Sequence, residues 1–178
     1  MISEMIEADA RTLDEMVAEL NREAAKHRSE RDMYNQKAQV LADKRNALQD
    51  KARKLVAEAN LVKQRRDDFN LSAREAKEKR EEWNDKVAMM RERGGLGDIG
   101  EAKAQSQNYH QKVVKYSNSG QLAHEKMLRL REEADALRAE AQVCHGQFLD
   151  CKKAADLEHD RYIQAIRRIE RLRDELPE

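Results

Sequence analysis

Very little in this chain of 178 residues can break a helix. It has one proline, Pro177, and six glycines, four of which (Gly94, Gly95, Gly97 and Gly100) fall within seven residues. Aromatic residues make up 4%. With so few strand-forming and turn-forming residues, a sheet protein is excluded. No apolar run approaches the ~18 residues of a membrane span. The opening Met1-Ile2-Ser3-Glu4 lacks the basic-then-apolar pattern of a secretory leader. Net charge of one sign is absent too, because 35 Lys and Arg balance 35 Asp and Glu. Disorder goes with unbalanced charge and lost periodicity, so a charged fraction of 39% points to disorder only if no apolar stripe runs through it.

Such a stripe is present. Stepping by seven from Ile6 gives Leu13, Leu20, His27, Tyr34, Leu41 and so on to Trp83 and Met90, and His27 alone in that series is neither apolar nor aromatic. Four residues after each member lies a second series, from Ala10 through Ala24, Ala38, Ala52 and Ala59 to Val87, in which Arg31, Arg45, Arg66 and Arg80 are the polar members. Beyond the glycines the same alternation of three and four resumes. One series runs from Val113 through Met127 and Phe148 to Leu176, and the other from Tyr116 through Cys144 and Cys151 to Leu172. A spacing held this long is a coiled-coil signal, and its strict period of seven predicts a left-handed supercoil.

Two sets of repeats fix how the arms meet. The first arm carries Arg31-Asp-Met-Tyr-Asn35, Arg45-Asn-Ala-Leu-Gln49, Arg66-Asp-Asp-Phe-Asn70 and Arg80-Glu-Glu-Trp-Asn84. The second carries His110-Gln-Lys-Val-Val114, His124-Glu-Lys-Met-Leu128, His145-Gly-Gln-Phe-Leu149 and His159-Asp-Arg-Tyr-Ile163. Arginines and histidines share the spacing 14, 21, 14, and every Arg and its opposite His have residue numbers that add to 190. A constant sum is the mark of an antiparallel hairpin, with its bend at residue 95. Glycines are poor helix residues, costing about 1 kcal/mol each relative to alanine, and their cluster sits at the same place. The expectation is an all-α fold: a long two-helix antiparallel coiled-coil hairpin, with a first arm over 1–93, a Gly-rich turn at 94–100 and a second arm over 101–178. Across the seam large residues then mostly face small ones, as Phe69 does Gly120 and Tyr34 does Ala155, while Leu41 meets Phe148. Such alternation suits a narrow close-packed core.

Chemistry is scarce on this scaffold. No phosphate-binding loop, nucleophile elbow or Asp-x-Asp signature occurs, and a two-helix pair offers no deep pocket. No catalytic residue, cofactor or small-molecule substrate is therefore expected. Cys144 and Cys151 stand about 10.5 Å apart along a helix, too far to bridge each other. The histidines recur at 14 residues or more, so one helix cannot bring them to one metal. No metal site is expected, and the thiols read as small core residues of a reduced, cytoplasmic protein. Arg31, Arg45, Arg66 and Arg80 with His110, His124, His145 and His159 read as polar layers that set register at some cost in stability.

Three surface features suggest partners. From Lys44 to Arg66 there are eight Lys and Arg against Asp50 and Glu58, a band that could contact phosphate. Its candidates for nucleic-acid or ribosome contact are Lys44, Lys51, Arg53, Lys54, Lys63 and Arg65, although some of these could pair across the seam, as Lys51 with Glu140. Met33, Val40, Val56 and Leu61 lie beside or outside the first stripe, as do Val114, Leu128, Leu149 and Ile163 in the second arm. Either set could bury against another hairpin, giving a dimer, or against a different protein. Met89, Met90, Leu96 and Ile99 gather at the bend, where they serve either to pack the turn or to dock a protein. At the open end, residues 1–25 carry seven acids and two bases, while residues 161–173 carry five bases and one acid.

The Arg-Asp/Glu-x-φ-Asn units followed by the His-x-x-φ-φ units (φ, apolar) resemble an archaeal family of coiled-coil proteins with Arg-Asp-Glu-Leu-Asn-type repeats, over roughly residues 28–172. That family is distantly similar to a eukaryotic coiled-coil protein associated with polysomes and messenger ribonucleoprotein, and the resemblance implies a ribosome or RNA link. Some of its members are labelled phosphoserine phosphatase, an activity whose acidic motif this sequence lacks. The family's longer central segment, rich in Trp, Gln and Glu, is replaced here by the short glycine turn. The reading of the sequence is a non-enzymatic interaction or adaptor protein, with a ribosome- or RNA-associated factor as the alternative.

Overall fold

The computed structural model describes residues 2–94 and 99–175, with side chains from Thr12 onward. It is an all-α helical hairpin. Helix α1 spans Ile2–Glu92 and helix α2 spans Ile99–Asp174. Arg91 in the last turn of α1, Glu101 in the first turn of α2, and Arg171 and Arg173 in its last turn each carry the charge that the nearby helix end favours. At the end of α1 the Arg93 amide donates to the Met89 carbonyl at 3.1 Å and the Gly94 amide to the Arg91 carbonyl at 3.4 Å. Gly94 has φ 69°, the left-handed conformation in which glycine most often ends a helix. Gly100 lies in the first turn of α2. Gly95, Leu96, Gly97 and Asp98 lie outside the described residues.

The chain divides into two compact units, one of residues 1–49 with 139–178 and the other of residues 50–138. In the first, Ala24, Ala38, Leu48, Ala141, Cys144 and Ala155 are buried between the helices, joined toward the helix ends by Ala165 and Ile169. In the second, Ala59, Val62 and Met127 form the centre, with Ala123 and Leu130 packed against them. Within both units every described position of the two stripes, from Leu13 to Leu172, is buried or half-buried, and Leu176 lies outside the described residues. The large members, such as Tyr34, Phe69, Trp83 and Phe148, are half-buried. No large side chain among the described residues is fully enclosed, because a seam one side chain wide leaves an edge of each in water.

Small residues set the depth of the seam. At Gly120 an added Cβ would lie 2.6 Å from Asn70 Oδ1 and 3.7 Å from Phe69 Cβ. Glycine serves closeness here rather than backbone freedom: the Asn70 amide oxygen stands where a Cβ would lie, while Phe69 is at ordinary contact distance. We expect Gly120→Leu to destabilise the hairpin by about 1 to 3 kcal/mol, the usual cost of overpacking, read as a lowered midpoint in urea. Gly120→Ala gains helix propensity but crowds Asn70. The double variant with Asn70→Ala should therefore be more stable than Gly120→Ala alone.

Candidate functional site: a ladder of polar layers

Four polar layers join the helices. Arg31 Nη1 donates to His159 Nδ1 at 3.3 Å, Arg45 to His145 at 3.0 Å, Arg66 to His124 at 3.2 Å and Arg80 to His110 at 3.1 Å. The first two lie in the unit of residues 1–49 and 139–178, the other two in the unit of residues 50–138. Guanidinium has only donors, so each imidazole uses Nδ1 as an acceptor. The constant sum of residue numbers is thus a set of direct contacts between facing residues.

Three of the arginines, Arg31, Arg45 and Arg66, are hubs rather than halves of a pair. Arg31 Nη2 reaches Asp32 Oδ1 at 2.7 Å, Arg66 Nη2 reaches Asp67 Oδ1 at 2.7 Å, and Arg45 uses the Asn46 amide oxygen at 3.1 Å. Arg31 also lies over the Tyr162 ring at 5.9 Å and Arg45 over Phe148 at 5.6 Å, within cation–π range. The adjacent His145 and His159 stack on those same rings. A planar fork can hold an oxygen on one edge, a ring nitrogen on the other and an aromatic face at once, which an ammonium cannot. For Arg31, Arg45 and Arg66 the next residue in the sequence is the oxygen partner. The Asn residues four positions on have other partners: Asn35 accepts from Lys152 at 3.1 Å and Asn84 from Ser106 at 2.5 Å.

A fifth layer joins two residues that stand as polar exceptions in their stripes. His27 Nδ1 donates to Glu158 Oε2 at 2.5 Å, and Arg161 Nη1 donates to Glu158 Oε1 at 2.7 Å. Glu158 is 6% exposed. The hydrogen bond from His27 holds its carboxyl below the usual carboxylate range. Burial opposes this, and Glu30 and Arg161 add to the lowering. Ligand atoms of His27, Glu30 and Glu158 lie within 4.8 Å of one another. Arg161 and His27 already occupy both oxygens of Glu158, so the arrangement works as an ion-paired layer in which the buried carboxylate keeps its charge.

The surface candidates are dispersed. Lys44 Nζ pairs with Glu140 at 3.3 Å, so the register gives Glu140 to Lys44 and not to Lys51. Arg53 pairs with Asp50 on its own helix at 3.1 Å. Lys51, Lys54, Lys63 and Arg65 are exposed. At the bend Met89 is exposed, Met90 and Ile99 are half-buried, and Leu96 lies outside the described residues. Cys144 is buried and Cys151 half-buried, both as free thiols. No helix among the described residues is long and apolar enough to cross a membrane.

Two outcomes follow from these layers. Because the Glu158 carboxyl is more acidic folded than unfolded, its contribution is fully present above the unfolded carboxylate range and is lost as pH falls through the lowered folded value. Glu158→Gln should cost about 1 to 3 kcal/mol near neutrality, and urea melts of the two proteins should converge as the pH falls through the lowered folded value of the carboxyl. Arg45→Ala and His145→Ala, compared singly and together, should show a coupling of about 0.5 to 1.5 kcal/mol; strict additivity would remove the layer's energetic role.

No curated protein and no solved structure matches this chain. A family model does, over residues 15–94 and again over residues 93–178, so that nearly every residue of both helices lies within a match. The chain belongs to that family, DUF7121, described as a family of unknown function.

Proposed function

We propose that this protein is a non-enzymatic interaction or adaptor protein of the cytoplasm, a two-helix hairpin that presents its outer faces to protein partners. The supporting observation is apolar surface off the seam. Val40 is 67% exposed and Val143 60%, while Leu61 and Leu122 in the other unit are 59% and 66% exposed. Scattered single apolar residues are ordinary on a surface. Here they recur on helices whose seam is already filled, so the hairpin's own packing does not account for them. The free thiols fit a reducing compartment.

A second reading has its own observation. Lys51, Lys54, Lys63 and Arg65 make no ion pair among the described residues. Cations left unpaired on one stretch of helix suit phosphate contact, and with it ribosome or RNA association. The resemblance to coiled-coil proteins related to a polysome-associated factor favours the same alternative.

Affinity capture from the native cell, with and without nuclease, separates the two. For the adaptor reading, the captured proteins should be the same in both. Loss of capture on nuclease treatment, with ribosome co-sedimentation that weakens as salt rises and falls at least tenfold in Lys51→Glu/Lys54→Glu/Lys63→Glu, would establish the second reading instead.

A further inference from the structure

One flank of the unit formed by residues 1–49 and 139–178 has the chemistry of an interface with itself. Near the open end Met16, Leu20 and Leu172 line a shallow apolar groove. Its rims differ in sign: Glu19 and Glu23 on the α1 side, and Arg168 and Arg171, followed by Glu175, on the α2 side, which is basic on balance. The side chains of Glu19, Arg168 and Arg171 make no ion pair or hydrogen bond among the described residues, so these charges face each other across the groove without meeting. Met16, Glu23, Lys37 and Lys44 recur at multiples of seven, as do Glu140, Arg161 and Arg168. The same flank therefore continues along both helices.

Further along that flank the signs reverse. Met33, Val40, Leu41 and Cys151 line a second apolar groove beside Lys37. There α1 carries the bases Lys37 and Lys44, and α2 carries Glu140. Val143 and Leu157, each over half exposed, extend the apolar surface on the α2 side.

A surface with acid on one helix and base on the other, then base on the one and acid on the other, is complementary to itself under one operation. A two-fold axis parallel to the helices lays α1 of each copy over α2 of its mate. Glu19 and Glu23 then meet Arg168 and Arg171, the Lys44–Glu140 pair of each hairpin comes to lie beside that of its mate, and the apolar grooves close on each other. Isologous contacts of this kind are the commonest in homo-oligomers, and methionine and arginine are enriched in interfaces. We infer that this flank binds a second copy of the chain, forming a parallel, four-helix, two-fold dimer. This deepens the interaction reading above, on which it rests, by naming one partner and the face that takes it.

Sedimentation equilibrium of the purified full chain tests it. The wild type should be a dimer whose dissociation strengthens with salt, as for exposed charges generally. Glu19→Lys/Glu23→Lys puts base against base, and Arg168→Glu/Arg171→Glu puts acid against acid, so each alone should dimerise at least tenfold more weakly while circular dichroism shows helicity retained. Mixed one to one, they should form a heterodimer, because each α1 then meets an α2 of opposite sign. An antiparallel stacking of copies, with α1 over α1, would not be restored by mixing. Val40→Lys, which leaves the seam alone, should also weaken the dimer at least tenfold. A monomeric wild type, a mixture that stays monomeric, or Val40→Lys dimerising as well as the wild type would each overturn the proposal. A monomer that still captures a cellular protein would do so while leaving the interaction reading intact.

Discussion

Two helices packed together have one seam between them, and that seam is a single side chain deep. Everything else in this hairpin answers to that constraint. A globular domain can surround a phenylalanine; here Phe69 and Phe148 are only half-buried, and the fully buried positions are mostly alanine. Burial stabilises in proportion to the apolar area removed from water, at about 25 cal/mol per Å². Alanine layers thus contribute little each, and their number must make up for their size. The heptad stripe runs through the whole of each described helix for that reason.

A seam of small, similar layers specifies register poorly, since shifting it by seven residues replaces one apolar contact with another. The polar layers remedy this. An arginine hub that fits its own aspartate, a facing imidazole and an aromatic face has one good alignment, and a slip leaves a guanidinium and an imidazole without partners. The His27–Glu158–Arg161 layer is stricter, because a buried carboxylate deprived of its donors costs far more than an exposed one. Within each unit the apolar layers supply stability and the polar layers supply the choice of alignment.

The fold was legible in the sequence because periodicity and the constant sum are properties of the chain alone. Period seven gives the face, the sum gives the facing residue, and Gly94 with its positive φ ends the first helix where both place the bend. Side-chain reach was not legible in the same way. Lys44 and Lys51 occupy equivalent heptad positions, so the period alone does not choose between them, and it is Lys44 that takes Glu140. Nothing in the repeat pattern assigns Asp32 and Asp67 to the arginines just before them, and only the placed guanidinium shows that the next residue is within its reach. His27 and Glu158 read as two separate blemishes, since their numbers do not add to 190. Each makes sense only once the other is seen beside it. The outward surface was least legible, because a pattern of exposed charge and apolar groups gains meaning only from its partner's pattern.

The alanine seam also makes the hairpin's tolerance to change one-sided. Most protein cores are damaged by deletion, because removing methylenes leaves a void. Where the buried side chain is already a methyl group, hardly anything remains to delete, and the void left by Ala→Gly is negligible beside its backbone cost. Enlargement is the danger: one isobutyl group at Ala59 or Ala134, both at 0% exposure, would wedge the helices apart and loosen the layers on either side. At these positions substitution is limited by the space between the helices, which a larger side chain would have to force open.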